Sequence, residues 1–237
     1  MAKILFGPLI SDARKKIAGV VFSKAHAGSY VRRKASPVQP RTTYQRSVRA
    51  NFTANAKAWS GTLTPAERLS FTDLAAATTK KDRLGQSYTM TGAQLYQLIS
   101  RNLHTIGITA LPTAPANLSV SDLGGLILAE VTTESSPLSG PGITVKPVNA
   151  PAEGEGLVIT ATAPVRAGVS FVGKSKYRII ATYGPSSVPS FPLDITAAYE
   201  TKFGQLKAND TVFLQINNIG STNGAAGKPY PASITLS

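Results

Sequence analysis

The order of apolar and polar residues divides the chain into three stretches of different periodicity. In the first stretch, two β-branched and aromatic runs, residues 17–23 and 28–34, predict the strands of a β-hairpin around the linker 24–27. The proline-containing segment 36–40 then predicts extended backbone, because each proline disfavours helix in the residue before it. A two-stranded hairpin is marginal alone in water, so we expect this one to need a neighbour.

The second stretch predicts three helices from apolar residues at helical spacing. The first spans about residues 43–60 and ends at Gly61. The second spans about residues 64–78 and opens with an N-cap Thr, a first-turn Pro and a Glu three residues after the cap. A polar spacer at 80–85 separates it from the third, at about 91–107, which ends on a glycine. We interpret the apolar stripes as core, with a subunit interface as the alternative. The stripe of the first helix is formed by Val48, Phe52, Ala56 and Trp59.

From residue 117 onward the apolar positions recur with period two between Gly, Pro, Asn and Ser turns. A further strand or a short helix is expected between residues 193 and 203. This spacing is typical of an immunoglobulin- or fibronectin-like β-sandwich. The predicted strands are Leu118–Leu123, Leu126–Thr133, Ile143–Val148, Leu157–Thr162, Lys176–Tyr183, Thr211–Asn217 and Ala232–Leu236.

The predicted fold class is therefore α+β and multidomain. Residues 1–43 form a basic extended N-terminal arm with the β-hairpin, and residues 44–109 form a small three-helix domain. A stiff Pro/Ala linker follows at 110–116. The β-sandwich occupies residues 117–237.

Charge is concentrated at the start of the chain. Residues 1–50 carry eleven Lys or Arg and one Asp, which is +10 (11 − 1) of the chain's formal +13. Residues 115–237 carry eight basic and eight acidic residues. The first segment has too few apolar residues to offset its ordering entropy, so we expect it to be disordered alone or ordered by a partner. That partner should be acidic, either nucleic acid or a protein surface.

The candidate partner-binding residues are the basic side chains of this arm and the aromatic residues among them. Such interleaving suits phosphate neutralisation and base stacking, but also strand addition and ion pairs with an acidic protein. Because the body of the chain is neutral, we favour a protein partner and keep nucleic acid as the alternative. The residues are Arg14, Lys15, Lys16, Phe22, Lys24, Tyr30, Arg32, Arg33, Lys34, Arg41, Tyr44 and Arg46.

Other classes of protein find little support in the sequence. There is no cysteine, no signal-peptide core, and no apolar run of about 18 residues that could span a membrane. We therefore expect a chain that is made in a cytoplasm. The two histidines, His26 and His104, are far apart, and Glu153 and Glu155 lie in a predicted flexible loop, so neither pair predicts a catalytic or metal site. No cofactor is predicted.

One catalytic motif does match, at Gly168–Ser175, which fits the phosphate-binding pattern G-x-x-x-x-G-K-[ST]. That motif requires a strand before the loop and a helix after it. Here Pro164 interrupts the approach, and residues 176–183 favour a strand. We therefore interpret the match as a loop between strands, and we expect the protein not to be an enzyme.

The N-terminal half contains several short motifs in one order: Phe6–Arg14, Ile17–Ser23, Gly28–Arg32, Pro37–Gln45, Val48–Ala50, Ala58-Trp59, Leu63–Arg68, Gly85–Tyr88 and Thr91-Gly92. Motifs in this order are similar to an uncharacterised family found in tailed-bacteriophage and prophage genomes. The resemblance covers about residues 4–112, with Phe71 where a Trp is usual and Lys16 where a Gly is common.

The resemblance implies a structural-region phage protein with no assigned activity. Immunoglobulin-like appendages are common on virion proteins, which is an analogy of fold only. We therefore expect a virion protein, assembled in the host cytoplasm, whose arm docks on coat or tail subunits while the β-sandwich projects. Decoration or cementing of the capsid is favoured, a tail or head–tail position comes next, and a homo-oligomer within the particle is expected. The alternative is a nucleic-acid-binding protein that uses the arm.

Overall fold

The computed structural model describes residues 2–8, 10, 12–35, 38–39, 41–82, 84–132 and 141–236, with residues 131 and 132 described by their backbone alone. Within these residues it is an α+β protein with several antiparallel sheets and four helices, as the coarse fold class predicted. The chain divides into two compact units. The first contains residues 1–98 and 112–114, and the second contains residues 99–111 and 115–237. The sequence analysis divided the chain into four parts, which is finer than these two units, and that finer division stays a prediction.

The first unit begins with a four-stranded antiparallel sheet in the order β1-β4-β3-β2. The predicted hairpin is its centre, but the predicted strand 17–23 is broken by a two-residue turn at Ala18-Gly19, where Ala18 has a φ of 49°. Residues before that turn form an additional strand, so the sheet has four strands where two were predicted. The strands are β1 (Ala2–Lys3), β2 (Lys15–Ile17), β3 (Val20–Ala25) and β4 (Gly28–Arg33).

Three helices follow, as predicted: α1 (Thr43–Lys57), α2 (Pro65–Ala77) and α3 (Gly92–Thr105). Gly61 does not end the first helical segment, since α1 continues as a π-helical turn over Ala58–Thr62. The capping box that opens α2 is formed: Glu67 N donates to Thr64 Oγ1 at 3.3 Å, and Thr64 N donates to Glu67 Oε2 at 2.7 Å.

The predicted polar spacer 80–85 is largely part of a second hairpin, in which β5 (Thr79–Lys81) pairs with β6 (Ser87–Thr89). Asp82 closes its turn by accepting hydrogen bonds from Leu84 N at 2.8 Å and Gln86 N at 3.0 Å. A short hairpin of polar residues has no apolar alternation, so no strand was predicted here. Two further predictions, the extended segment 36–40 and the strand end at Thr133, fall partly outside the described residues.

An aromatic cluster lies in the core of the first unit. Phe71 is fully buried, and its ring centroid lies 5.2 Å from that of Tyr96 and 6.2 Å from that of Trp59. Leu95 and Ala75 are buried in the same unit. This packing joins α2, α3 and the π-helical turn, so the predicted core role of Trp59 is supported, although its side chain is half-buried.

The second unit contains two antiparallel sheets. One has the order β10-β13-β9-β11 with β14 also paired to β13, and the other has the order β12-β8-β7. Helix α4 (Thr196–Phe203) follows β12, so residues 193–203 hold both a strand and a helix. The strands are β7 (Leu126–Thr132), β8 (Pro141–Pro147), β9 (Glu155–Ala161), β10 (Val165–Arg166), β11 (Arg178–Tyr183), β12 (Leu193–Asp194), β13 (Asp210–Gly220) and β14 (Tyr230–Thr235).

Side chains of both sheets and of α4 meet in one hydrophobic cluster of this unit. Ile143 and Val145 of β8 and Ile159 of β9 are completely buried there. Tyr199 of α4 is also buried, and its hydroxyl donates to the carbonyl oxygen of Thr162 at 2.9 Å. Burial raises the pKa of this phenol above its ordinary value, and the charge of Asp210 acts in the same direction.

The predicted strand Leu118–Leu123 is not formed; residues 117–125 are irregular. They are held instead by a buried carboxylate, because Glu155 accepts hydrogen bonds from Ser121 N at 2.6 Å and Ser121 Oγ at 2.5 Å. Asn218 Nδ2 donates to the same carboxylate at 2.6 Å, and Ala152 N at 3.3 Å. Glu155, which the sequence placed in a flexible loop, is therefore a structural residue of β9.

Candidate interaction surface

The N-terminal sheet holds seven of the twelve predicted partner-binding residues, and five of these seven lie in the hairpin at its centre. Strands β3 and β4 pair from Val20 opposite Arg33 to Ala25 opposite Gly28, around a two-residue turn at His26-Ala27. Gly28 has a φ of 106°, a backbone conformation that a side chain would disfavour, and it allows β4 to begin directly after the turn.

The strand pairing assigns every residue of the sheet to one of two faces, because residues directly opposite each other project from the same side. One face, here called the apolar face, has an apolar centre with basic residues around it. The other, the polar face, has mostly polar and basic residues. The apolar face contains Ala2, Lys15, Ile17, Val20, Phe22, Lys24, Ser29, Val31 and Arg33. The polar face contains Lys3, Lys16, Val21, Ser23, Ala25, Gly28, Tyr30 and Arg32.

The polar face is attached to its own unit by Lys3. The ammonium of Lys3 lies 3.5 Å from Asp82 Oδ2, in the turn of the β5–β6 hairpin, and also donates to the carbonyl oxygen of Ala27. Desolvation acts to raise the pKa of Asp82, but the hydrogen bonds from Leu84 and Gln86 and the charge of Lys3 together hold it below its ordinary value. The carboxylate is therefore ionised at neutral pH and retains the lysine.

The N-terminal sheet has no buried core of its own. Among the described residues that precede Asn55, none is buried; Val20, Phe22 and Val31 of the apolar face are half-buried, and Ile17 is exposed. A sheet normally buries its apolar face against another layer. This one leaves part of it in contact with solvent.

The structure divides the predicted partner-binding residues among several places. Lys15, Phe22, Lys24 and Arg33 are on the apolar face, whereas Lys16, Tyr30 and Arg32 are on the polar face. Arg14 is bound to Asp12, with Nε 2.8 Å from Oδ2. Lys34 follows β4, Arg41 precedes α1, and Tyr44 and Arg46 are in its first turn. The nine basic residues of the set are all exposed.

Sequence reasoning missed part of the surface of α1. Val48 and Phe52 were predicted to be core, but they are exposed, as is Ala56. The helical spacing of these residues was predicted correctly, but three of the four residues in the predicted stripe have no element that covers them in the described structure. Ile17 was also missed, since it was interpreted as the start of a strand and not as part of an exposed face.

The loop that matches the phosphate-binding motif has no helix after it. Residues 174–176 form a single 3₁₀ turn, and β11 begins at Arg178, close to the predicted strand. Arg178 Nη1 donates to the carbonyl oxygens of Ser175 at 2.7 Å and Tyr177 at 2.9 Å, so its guanidinium binds the loop backbone. The strand–loop–helix geometry that cradles phosphate is absent from this described segment.

Within the described ranges, no cluster of three or more His, Asp or Glu side chains has the arrangement of a metal site. In the same ranges, no helix has the length and apolar character needed to cross a bilayer.

The two units differ in net charge. The first unit contains sixteen Lys or Arg and four Asp or Glu, which gives +12 (16 − 4). The second contains nine and eight, which gives +1 (9 − 8). Residues 1–50 supply +10 of the +12, so the field that attracts an anionic partner comes mainly from the N-terminal sheet and the start of α1.

Comparisons with protein-family models, with curated proteins and with solved structures found no match to this chain.

Proposed function

We propose that this chain is a non-enzymatic structural protein of a tailed-bacteriophage virion. Its N-terminal sheet and the start of α1 dock on neighbouring coat or tail subunits, and its second unit projects from the particle. Decoration or cementing of the capsid is the favoured position, and the tail or head–tail junction is the next. Several copies act together within one particle.

The observation that carries the proposal is a folded sheet without a core. The pairing of β1 to β4 gives the segment a defined shape, yet no described residue before Asn55 is buried. Ordering such a segment is costly, and contact with a neighbour offsets that cost. An apolar centre that includes Ile17 and Phe22, with Lys15 and Arg33 around it, suits an acidic protein surface with an apolar patch.

The second unit is proposed to be an immunoglobulin-like β-sandwich. Its two antiparallel sheets contribute to one hydrophobic cluster, which includes Val145 of the smaller sheet and Ile216 of the larger one. With a net charge of +1, this unit is nearly neutral, whereas the proposed docking unit carries +12.

Nucleic-acid binding is the second candidate, and one observation favours it. The first unit carries +12 over its sheet and its helices, so its field would attract DNA of any sequence. The aliphatic residues at the centre of the apolar face argue for protein, because aliphatic side chains neither neutralise phosphates nor stack on bases.

The test is an inventory of purified particles of the phage that encodes the chain, combined with a binding assay. Mass spectrometry of the particles measures the copy number of the chain relative to the main coat protein. Purified full-length chain is then sedimented with particles assembled without it, and separately with a 30-base-pair DNA duplex, at low and moderate salt.

A fixed copy number and saturable binding to the particles would support the virion role. Absence from purified particles, or no sedimentation with particles that lack it, would overturn the proposal. If DNA binds tightly and loses affinity steeply with salt while the particles do not bind, the second candidate replaces the first.

A further inference from the structure

We propose that the first three turns of α1 form a second contact with the same partner, through an exposed apolar stripe of Tyr44, Val48 and Phe52. The stripe lies in an apolar groove that has carboxylates at its rim, on a neighbouring virion protein. This inference rests on the proposed function, since it names a contact by which the docked chain is held.

The stripe is defined by helical geometry and by exposure. Tyr44, Val48 and Phe52 are four residues apart, so they follow one another along one side of the helix. Their side chains are 68 %, 45 % and 62 % exposed, respectively. Three large apolar side chains in one row on a surface helix exceed the scattered single exposures that are ordinary in proteins.

The same side of α1 is packed against its own unit toward the C-terminal end of the helix. At about 100° per residue, Asn55 projects within the arc that Tyr44 and Phe52 define. Asn55 is buried, and Trp59 of the following π-helical turn contacts Phe71 and Tyr96. Gln97 Nε2 of α3 donates to the carbonyl oxygen of Phe52 at 3.3 Å. The packing of this side of α1 is thus seen from Phe52 toward the C-terminal end, whereas Tyr44 and Val48 of the preceding turns are exposed.

The charge of α1 indicates which kind of surface covers the stripe. Helix α1 contains Arg46, Arg49 and Lys57 and no acidic residue, and Arg49 lies directly beside the stripe. A second copy of this chain would bring a unit of +12 against another unit of +12, which opposes pairing. A groove with acidic residues at its rim complements the helix, in the way that amphipathic helices are bound by grooves on their partners.

The chain offers a matched control for removal of the stripe. Phe171 and Val169 of the second unit are 78 % and 39 % exposed, so they present the same two side-chain types to solvent. The experiment compares V48S/F52S with V169S/F171S in sedimentation with particles assembled without the chain, over a concentration series. A thermal melt of each variant is measured in parallel, and both are expected to fold, because the substituted side chains are exposed.

V48S/F52S is expected to weaken binding to the particles by about tenfold or more, and V169S/F171S by less than about twofold. R49E, beside the stripe, is expected to weaken binding more than K57E, which is on the opposite side of the helix.

Two results would overturn the inference while leaving the proposed function in place. One is equal binding by V48S/F52S and V169S/F171S at wild-type affinity. The other is a wild-type dimer in sedimentation velocity that V48S/F52S dissociates, since that would make a second copy the occupant. If the wild-type chain itself does not bind the particles, the proposed function fails, and this inference fails with it.

Discussion

Lys3 and Asp82 join the beginning of the chain to a turn eighty residues later. Lys3 Nζ lies 3.5 Å from Asp82 Oδ2, and the two side chains are 22 % and 4 % exposed. The carboxylate also closes the β5–β6 turn through its other oxygen. The Asp82 side chain therefore closes the turn of its own hairpin and also holds β1 at the edge of the N-terminal sheet.

Replacement of Lys3 by Met is expected to release β1 without unfolding the β3–β4 hairpin or the helices. The variant removes the ion pair and the hydrogen bond to Ala27 but keeps the aliphatic stem. Amide hydrogen exchange should become faster at Ile4, whose N–H donates to the carbonyl oxygen of Ser29, and stay unchanged in α3. Because the pKa of Asp82 is depressed, the attachment is present above the ordinary Asp pKa and is lost as pH falls through the lowered value.

Arg14→Met is the control, since the Arg14–Asp12 ion pair joins two neighbouring, more exposed residues. It is expected to leave exchange at Ile4 unchanged. Equal acceleration in both variants would mean that general loss of positive charge loosens the strand, and that the bond to Asp82 has no special role.

The two faces of the N-terminal sheet can be compared with variants of identical charge. K15E/R33E reverses two charges on the apolar face, and K16E/R32E reverses two charges on the polar face. The polar face is the one that Lys3 attaches to its own unit, so the apolar face is expected to meet the partner. Binding to particles that lack the chain should fall by about tenfold or more in K15E/R33E and by clearly less in K16E/R32E.

Both of these variants change the net charge of the chain by the same amount, so general steering affects them equally. Equal losses would therefore indicate that the cationic field, and not one face, determines binding. A larger loss in K16E/R32E would assign the contact to the polar face and contradict the assignment made here.

The sequence predicted those parts of the fold that depend on local chemistry. The β3–β4 hairpin, the capping box at Thr64 and most strands of the second unit follow from turn residues, caps and periodicity. The predicted strand at 118–123 failed because the buried carboxylate of Glu155 holds that segment through Ser121, a contact 34 residues apart in sequence.

The candidate site was predictable in position but not in orientation. Basic and aromatic residues marked the arm, yet only the pairing of β2, β3 and β4 assigns Lys15 and Lys16 to opposite faces. The apolar residues of α1 do have helical spacing, but this spacing does not indicate how much of the helix is packed against a neighbouring element. The exposure of these residues depends on where α3 meets the helix, which is a tertiary property.

Tyr199→Phe tests the hydrogen bond between α4 and the segment after β9. The hydroxyl donates to the buried carbonyl oxygen of Thr162 at 2.9 Å, so its removal leaves an acceptor without this donor. The free energy of unfolding of the second unit is expected to fall by about 1–2 kcal/mol, measured by urea titration. Tyr44→Phe, at an exposed position, is the control and is expected to change stability by less than about 0.5 kcal/mol. A loss as large in Tyr44→Phe would exclude the hydrogen bond as the cause.

Glu155→Gln tests the carboxylate that binds the irregular segment 117–125. Desolvation acts to raise the pKa of Glu155, but hydrogen bonds from Ser121, Asn218 and Ala152 outweigh it and hold the pKa below its ordinary value. A glutamine replaces one acceptor oxygen by a donor that faces other donors, so we expect a loss of about 2–3 kcal/mol at neutral pH.

The pH dependence of that loss distinguishes an effect of the negative charge of Glu155 from an effect of its side-chain packing. A group with a depressed folded-state pKa contributes stability that is complete above its unfolded pKa and disappears as pH falls through the folded value. The difference in unfolding free energy between wild type and Glu155→Gln should therefore shrink on acidification, as measured by urea titrations at a series of pH values. Glu153→Gln, two positions away and exposed, is the control and should change the free energy of unfolding at neutral pH by less than about 0.5 kcal/mol. A pH-independent difference for Glu155→Gln would mean that packing at this position, and not the ionised carboxylate, holds the segment.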